Sequence, residues 1–363
     1  MTLTAPTGAT PRRWRDQAWR LAALVTKPLL PADTLDLISP LRAGADLRGR
    51  IVEITPETAD AVTVTVRPGA GWRGHVPGQY IRIGIDVDGV RHWRAYSVTS
   101  RTHRADGLIS FTTKAIPDGL VSTHLVRHAR PGTLVMLDQA TGDFVMSTPR
   151  PAKVLFLTGG SGITPVMGML RNHLDELPDV VLVHSAPRAE DVVFGMPLRQ
   201  LAAEGRLTLI ERHTDTEGML ELAELDTIVP DWRERETWAC GPTGMLTAVE
   251  EHWAASELAD RLHTERFRPH LAATGEGGSI RFARAGVELD ADGGTPILDE
   301  AEAAGVLMPS GCRMGICFGC VLPLTEGVVR DLRNGELTYA APGDGVRIQT
   351  CVSAAAGPCE IDH

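Results

Sequence analysis

Six cysteines occur in the 363-residue chain, and four of them are spaced to hold iron. Cys312, Cys317 and Cys320 form C-x4-C-x2-C, and Cys351 follows 31 positions after Cys320. That spacing suits a [2Fe–2S] cluster, with three thiolates from one tight loop and the fourth from a distant strand. Gly311, Gly315 and Gly319 let such a loop wrap the cluster and aim backbone N–H groups at its sulfurs. The competing readings are a zinc site and a disulfide framework. Zinc sites usually repeat C-x2-C, and here only Cys317 and Cys320 stand so. A cluster moves electrons one at a time, so the chain is expected to carry electrons.

Three further sets of residues have chemistry in their spacing. Thr158-Gly159-Gly160-Ser161-Gly162-Ile163-Thr164-Pro165 follows the apolar run Val154–Leu157. Its glycines allow close approach of a pyrophosphate, Thr164 can cap a helix, and Pro165 suits the first helical turn. It is not G-x-G-x-x-G, and a glycine-rich turn alone is often only a turn. Trp238-Ala239-Cys240-Gly241-Pro242 places a thiol at a strand end, followed by a glycine where a ring can approach. The plainer reading of Cys240 is a buried structural thiol. Arg94-Ala95-Tyr96-Ser97-Val98 offers a flat face for an isoalloxazine, a hydroxyl for its ring and a guanidinium for a phosphate. Gly119-Leu120-Val121-Ser122 then opens a helical pattern whose amides and Ser122 can receive a phosphate. Ordinary strand packing accounts for Arg94 and Tyr96 if that motif stands alone.

These residues need scaffolds, and the patterning supplies them. Residues 47–149 alternate polar and apolar, as in Val62–Val66 and Ile81–Ile85, with Pro68-Gly69, Pro77-Gly78 and Asp88-Gly89 as turns. A small antiparallel barrel is expected. Residues 150–262 instead carry short continuous apolar runs, Val154–Leu157, Val180–Val183 and Leu207–Ile210, separated by helical stretches. That is the pattern of buried parallel strands in an α/β sheet. Residues 263–277 are polar and read as a linker, with Phe267 packing locally. Residues 278–363 form the cluster unit, and residues 1–46 an extension with one helical patch.

Composition excludes several classes. No run of 18 apolar residues exists, so no membrane-spanning helix is expected. The N-terminal residues show no apolar core of a signal peptide, and reduced thiols beside a cluster fit the cytoplasm. A net charge of −10 argues against nucleic acid as a partner. The charge is uneven. Residues 278–363 hold 12 Asp/Glu against 6 Arg and no Lys, whereas Arg12, Arg13, Arg15, Arg20 and Lys27 face only Asp16 within residues 1–27. Trp14, Trp19, Leu21 and Leu24 interleave with those cations, so residues 11–27 can form a helix that touches an anionic membrane surface or packs on the barrel. His75, His92 and His103 share no metal spacing, and Cys359 is expected to be structural.

The motifs stand in one order, and together they resemble the ferredoxin–NADP reductase superfamily, in its branch with a C-terminal plant-type ferredoxin. Arg94-x-Tyr96-Ser97 matches the family's flavin motif. Gly159-Gly160-Ser161-Gly162-Ile163-Thr164-Pro165 matches the pyridine-nucleotide loop, and Cys240-Gly241-Pro242 the motif beside the nicotinamide. The resemblance covers about residues 47–363. It implies a flavin barrel, an α/β nucleotide domain and a β-grasp ferredoxin domain. Leu30-Pro31-Ala32-Asp33-Thr34-Leu35-Asp36-Leu37-Ile38-Ser39-Pro40-Leu41 further resembles the leaders of actinobacterial reductases that serve membrane acyl-CoA desaturases.

The resemblance implies an electron path from a reduced nicotinamide through flavin to the cluster and on to an external acceptor. A nicotinamide gives two electrons as hydride, a cluster takes one, and a flavin reconciles the two. Ser97 and Cys240 are then expected at the hydride-transfer site. Reductases of this domain order use FAD or, in the phthalate dioxygenase type, FMN; FAD is expected here. After Val183 the chain reads His184-Ser185-Ala186-Pro187-Arg188, with no acid before Glu190. Ser185 and Arg188 suit the 2′-phosphate of NADPH better than the ribose diol of NADH. The acceptor is expected to be a fatty acyl-CoA desaturase. A Rieske oxygenase, an alkane hydroxylase or a cytochrome P450 is the alternative, and a redox sensor or electron-storage module is a reading from another class.

Overall fold

In a computed structural model, the residues described are 35–36, 38–87, 89–116, 119–267, 273–311, 313–315 and 318–363. The expected helical patch at 11–27 and the ligands Cys312 and Cys317 lie outside the described residues.

The first unit is six antiparallel strands: β1 Arg48–Thr58, β2 Ala61–Pro68, β3 Tyr80–Val87, β4 Val90–Ser97, β5 Ile109–Lys114 and β6 Leu134–Leu137. They run in the order β4-β3-β6-β1-β2-β5. A bridge between Val98 and Phe111 brings the two edges together, closing the barrel. The valines of β2 point inward, as alternation predicts. Its threonines are buried as well, because Thr63 Oγ1 bonds Glu57 Oε1 at 2.6 Å and meets Thr112 Oγ1 at 2.7 Å. Helix α1, Leu120–Arg127, plugs the barrel with Val121 and Leu125.

The second unit is a five-stranded parallel sheet of β7 Lys153–Gly159, β8 Asp179–Ala186, β9 Thr208–His213, β10 Glu236–Cys240 and β11 Leu262–Glu265. Its order is β11-β10-β7-β8-β9, with helices α2 Ile163–His173, α3 Gly195–Ala203 and α4 Thr243–Ala255 between the strands. Both faces are covered. Val154, Phe156 and Leu182 enter one core, and Leu155, Leu157 and Val181 enter the other. That double burial explains the unbroken apolar runs. Strand β11 pairs with β10 beyond residue 262, so the sheet extends into the segment read as linker. Strand order reverses between β7 and β10, and ligands of such sheets bind in the crevice at that point. The sheet is bolted to the barrel through α2. Arg171 Nη1 donates to Thr99 O at 2.7 Å, and Asn172 Nδ2 donates to Ser100 O at 3.1 Å.

The third unit contains β12 Gly278–Phe282, β13 Val287–Ala291, β14 Val321–Asp331, β15 Leu337–Ala340, β16 Arg347–Gln349 and β17 Ser353–Ile361. The order is β13-β12-β17-β14-β15, with β16 paired to β14 and only β12–β17 parallel. Helix α5, Ile297–Ala303, lays Ile297, Leu298 and Ala301 into its core, which gives the expected β-grasp. Cys359 is buried in that core and burial pushes its thiol up to about 11, as befits a structural residue. Among the described residues no helix is long and apolar enough to cross a membrane.

Candidate active site

A cavity of about 700 Å³ opens where the three units meet. The barrel contributes Arg94, Tyr96 and Ser97 from β4, Thr113 and Lys114 from β5, and Gly119, Val121 and Ser122 at the start of α1. Ser161 and Thr164 reach it from the glycine-rich loop, and Glu265 and Phe267 from the end of β11. The ferredoxin-like unit adds Asp299, Glu302, Arg313 and Cys351. Phe267, expected to pack within a linker, is therefore a cavity wall. His92, expected to be a packing or surface residue, also lines the cavity.

Arg94 and Tyr96 are two apart on β4 and so share a face. The Tyr96 ring stacks on Phe111 with centroids 4.9 Å apart. Burial pushes its phenol up to about 12, against a hydrogen bond with Thr113. Arg94 Nη1 donates to Trp93 O at 2.8 Å, and no ion pair to Arg94 occurs among the described residues. Burial lowers its pKa, and the neighbouring Arg313 lowers it further. The Ser97 hydroxyl is buried without a partner. Ser122 Oγ donates to Gly119 O at 3.1 Å, and Gly119 is the N-cap of α1.

The glycine-rich loop links β7 to α2 through a single 3₁₀ turn, Gly160–Gly162. Thr164 is not the cap that the sequence suggests. Gly162 occupies that position, and Thr164 Oγ1 donates instead to Ser161 O at 2.9 Å. The helix begins earlier than expected because the 3₁₀ turn runs straight into it. Pro165 lies buried in the first turn, where its missing N–H has no intrahelical partner to lose. A Cβ on Gly162 would fall 2.0 Å from Cys240 O, and one on Gly241 would fall 3.0 Å from Gly159 N. The two motifs thus need their glycines because they press on each other at the switch point. Pro242 caps α4 there. Ser185 on β8 stands opposite Gly159. Val98, Pro165, Ser185, Arg188, Cys240, Gly241 and Pro242 flank the cavity's elements but are not in its wall.

Two acids near the candidate site carry no signal in the sequence. Cys240 and Glu265 are paired in register on β10 and β11. Glu265 is raised to about 8 by burial, and one of its oxygens has no partner. Burial, and then this carboxyl, push the Cys240 thiol well up. The second acid is Asp215, whose Oδ2 accepts from Arg188 Nε at 2.8 Å. Neither acid has a motif around it; only strand register and the turn after β9 bring them in.

Of the four cluster cysteines, Cys320 and Cys351 are buried with their sulfurs 3.2 Å apart. A disulfide would require about 2.05 Å. Two ligands on one tetrahedral metal, at about 2.3 Å each, lie about 3.8 Å apart. The pair therefore fits shared ligation better than a bond. The surrounding loop is tight. Arg313 and Phe318 hold left-handed backbone at φ 57° and 55°, and Gly315 O accepts from Gln349 Nε2 at 2.8 Å. The orphaned Ser97 hydroxyl and the ion-pair-free Arg94, both in one large cavity, likewise suit a flavin with a ring to contact and a phosphate to bind.

Comparison with known proteins decides the family. Residues 63–146 match the oxidoreductase FAD-binding domain, residues 156–251 the oxidoreductase NAD-binding domain, and residues 280–356 the 2Fe-2S iron-sulfur cluster binding domain. An NADPH oxidoreductase of Mycobacterium tuberculosis is 48% identical, covering 94% of this chain and 91% of its relative. The chain belongs to the ferredoxin-reductase-type oxidoreductases with FAD, NAD(P)H and [2Fe–2S] domains. Within that family, a glycine betaine monooxygenase reductase subunit of Pseudomonas aeruginosa is 31% identical over 79% of this chain and 87% of its own. The ferredoxin reductase component of a Mycobacterium tuberculosis 3-ketosteroid-9-alpha-monooxygenase is 31% identical over 70% and 76%. The fold matches phthalate dioxygenase reductase at a TM-score of 0.60 and 19% identity, covering 87% of this chain and 97% of that one. This reductase therefore uses FAD, NAD(P)H and a [2Fe–2S] cluster. When bound, the flavin accepts hydride from the nicotinamide and yields electrons singly.

Proposed function

We propose that this reductase draws electrons from NADPH and delivers them, from the cluster at its ferredoxin surface, to a metal-dependent oxygenase. The observation that carries the reading is that Cys351 lines the same cavity as Arg94, Tyr96 and Ser97. A cluster ligand at the flavin cavity keeps the inter-cofactor step short. In this assignment Tyr96 and Ser97 meet the flavin ring, and Arg94 with Gly119, Val121 and Ser122 meets its phosphates. Gly159, Gly160, Gly162, Thr164 and Pro165 form the nucleotide's pyrophosphate loop, with Ser185 and Arg188 at the 2′-phosphate. Cys240, Gly241 and Pro242 flank the nicotinamide, and Cys312, Cys317, Cys320 and Cys351 hold the cluster. The working division is a 1–46 extension, a 47–149 flavin domain, a nucleotide domain from residue 150 that takes in β11 to Glu265, a linker after it and a 278–363 ferredoxin domain. Support for NADPH is that Ser185 and Arg188 follow Val183 on β8 with no acid before Glu190, and that the 48% identical relative is an NADPH oxidoreductase.

The leader at residues 30–41 favours a membrane fatty acyl-CoA desaturase as the acceptor. The relatives that are monooxygenase reductase components favour the second reading, an oxygenase such as a Rieske enzyme, an alkane hydroxylase or a cytochrome P450. Reconstitution with each acceptor class, scoring product formed per NADPH consumed, separates them. Coupled product with a desaturase alone carries the first reading; coupling only with an oxygenase replaces it. The basic leader is proposed to touch anionic membrane, as each cation near such a surface adds about 1 kcal/mol. Deleting residues 1–27 should then abolish co-sedimentation with anionic vesicles while sparing ferricyanide reduction. Indifference of the full chain to vesicles at low salt sinks the membrane contact.

A further inference from the structure

The ferredoxin unit sends one cation into the flavin cavity. Arg313 lies in the cluster loop, with φ 57°, and lines the cavity beside Arg94 of the barrel. Its Nη1 donates to Asp299 at 2.8 Å and its Nη2 to Glu302, both on α5. Its Nε–H is buried and has no partner among the described residues. Arg94 makes one bond, to its own neighbour's carbonyl, and has no ion pair among the described residues. Two arginines thus face one cavity from two units, each with donor capacity unspent. The buried Nε–H of Arg313 is costly unless something accepts from it. Like charges across an interface of low dielectric also repel, and Arg313 does lower the pKa of Arg94. Guanidinium donors fit phosphate oxygens bidentately, and a diphosphate supplies both the acceptors and the countercharge.

We propose that Arg313 and Arg94 together bind the diphosphate of the flavin dinucleotide, so that one FAD is held by the barrel and the ferredoxin unit at once. The proposal rests on the reading that the flavin occupies this cavity. Asp299 and Glu302 act as positioning residues that steer Arg313 towards the barrel. Flavin binding and ferredoxin docking are then coupled, and the coupling is reciprocal by linkage. The flavin serves as the clasp that holds the cluster close to the ring.

The test uses the full chain with its cluster loaded and its flavin removed, and reads dissociation constants for FAD and for riboflavin by quenching of flavin fluorescence. Visible circular dichroism reports the cluster. Arg313→Ala is expected to weaken FAD by about tenfold, the scale of one charge-assisted hydrogen bond, and to leave riboflavin unchanged. Arg313→Gln, which keeps the side chain's length without its charge, should show the same selective loss if the alanine variant cannot hold the cluster. Inorganic pyrophosphate should compete with FAD in the wild type and compete less well in either variant. FAD affinity equal to wild type in both variants overturns the proposal, as does an equal loss for riboflavin. Arg94→Ala separates the underlying reading. If it weakens FAD while the Arg313 variants do not, only the clasp fails; if it too leaves FAD unaffected, the cavity assignment fails with it.

Discussion

Cys240 and Glu265 sit side by side at the ends of β10 and β11, the thiol buried and the carboxyl half-buried at the cavity wall, and desolvation raises both above their ordinary values. The pairing places a proton-bearing group next to a compact polarisable one at the switch point of the sheet, and Glu265 lines the candidate cavity. A charged residue there would cost desolvation energy. Desolvation raises the Glu265 carboxyl to about 8, which favours its neutral form and lessens that cost.

The first prediction follows from that proton. Glu265 stands at about 8 in the fold against an ordinary value of 4.5. Between those values the native protein holds one more proton than the unfolded chain. Stability due to this group is present below about 4.5 and is lost as pH rises towards 8, by up to about 1.4 kcal/mol per unit. Glu265→Gln lacks that slope. Denaturant midpoints of the flavin-free protein at pH 5 and pH 8 should show the variant gaining on the wild type at the higher pH. A gap that does not change with pH means the carboxyl is ionised throughout.

Ser97 gives a prediction with opposite signs in two states. Its hydroxyl is buried without a partner, a penalty of about 1–3 kcal/mol. Ser97→Ala should raise the melting temperature of the flavin-free protein. In the loaded enzyme it should slow NADPH–ferricyanide turnover on the order of tenfold, the worth of one hydrogen bond in the transition state. Loss of melting temperature in the flavin-free variant shows that the hydroxyl has a partner in the fold.

Nucleotide choice turns on Arg188. Its Nε donates to Asp215 at 2.8 Å and its Nη1 stands 4.0 Å from Glu190, too far for a hydrogen bond, so the outer fork can still turn to a phosphate. Arg188→Glu removes that fork and sets a like charge beside Asp215. The kcat/KM for NADPH should drop by about 10- to 100-fold while NADH is spared or improved. Steady-state kinetics with both nucleotides read it. A wild type that already prefers NADH ends the NADPH assignment.

What the sequence made legible divides by range. The cluster domain was readable because the C-x4-C-x2-C spacing of Cys312, Cys317 and Cys320 is local to one stretch of chain, and residues 280–356 do match a 2Fe-2S iron-sulfur cluster binding domain. The barrel and the parallel sheet were readable because one-sided and two-sided burial leave different periodicities, as in Ile81–Ile85 against Val154–Leu157. Thr63 and Thr65 misled, since a covered second face looks like an exposed one until Glu57 and Thr112 are seen across it. Phe267 stood between packing in a linker and shielding a flavin face, and it lines the cavity, whereas Glu265 and Asp215 were invisible as site residues. Each is brought in by register or by a chain crossing between units, and no spacing records that. Arg313 was hidden for the same reason, for its partners and its cavity belong to different domains.

The last prediction divides the electron path. Cys351 is buried against Cys320, with Thr350 Oγ1 donating to Cys320 O at 2.9 Å, so the distant strand is stitched to the loop by more than the cluster. Replacing one sulfur by oxygen should therefore cost the cluster before it costs the fold. Ferricyanide takes electrons from the flavin half, whereas cytochrome c reduction is expected to depend on the cluster. Cys351→Ser should keep NADPH–ferricyanide activity close to wild type and lose most cytochrome c reduction, together with the cluster's visible circular dichroism. Because Cys351 also lines the flavin cavity, the flavin spectrum of the variant should shift slightly while flavin content stays full. Equal loss of both activities would mean that Cys351 holds the fold together and is not a specific ligand. Retention of both would place the electron exit at the flavin and leave the cluster off the path.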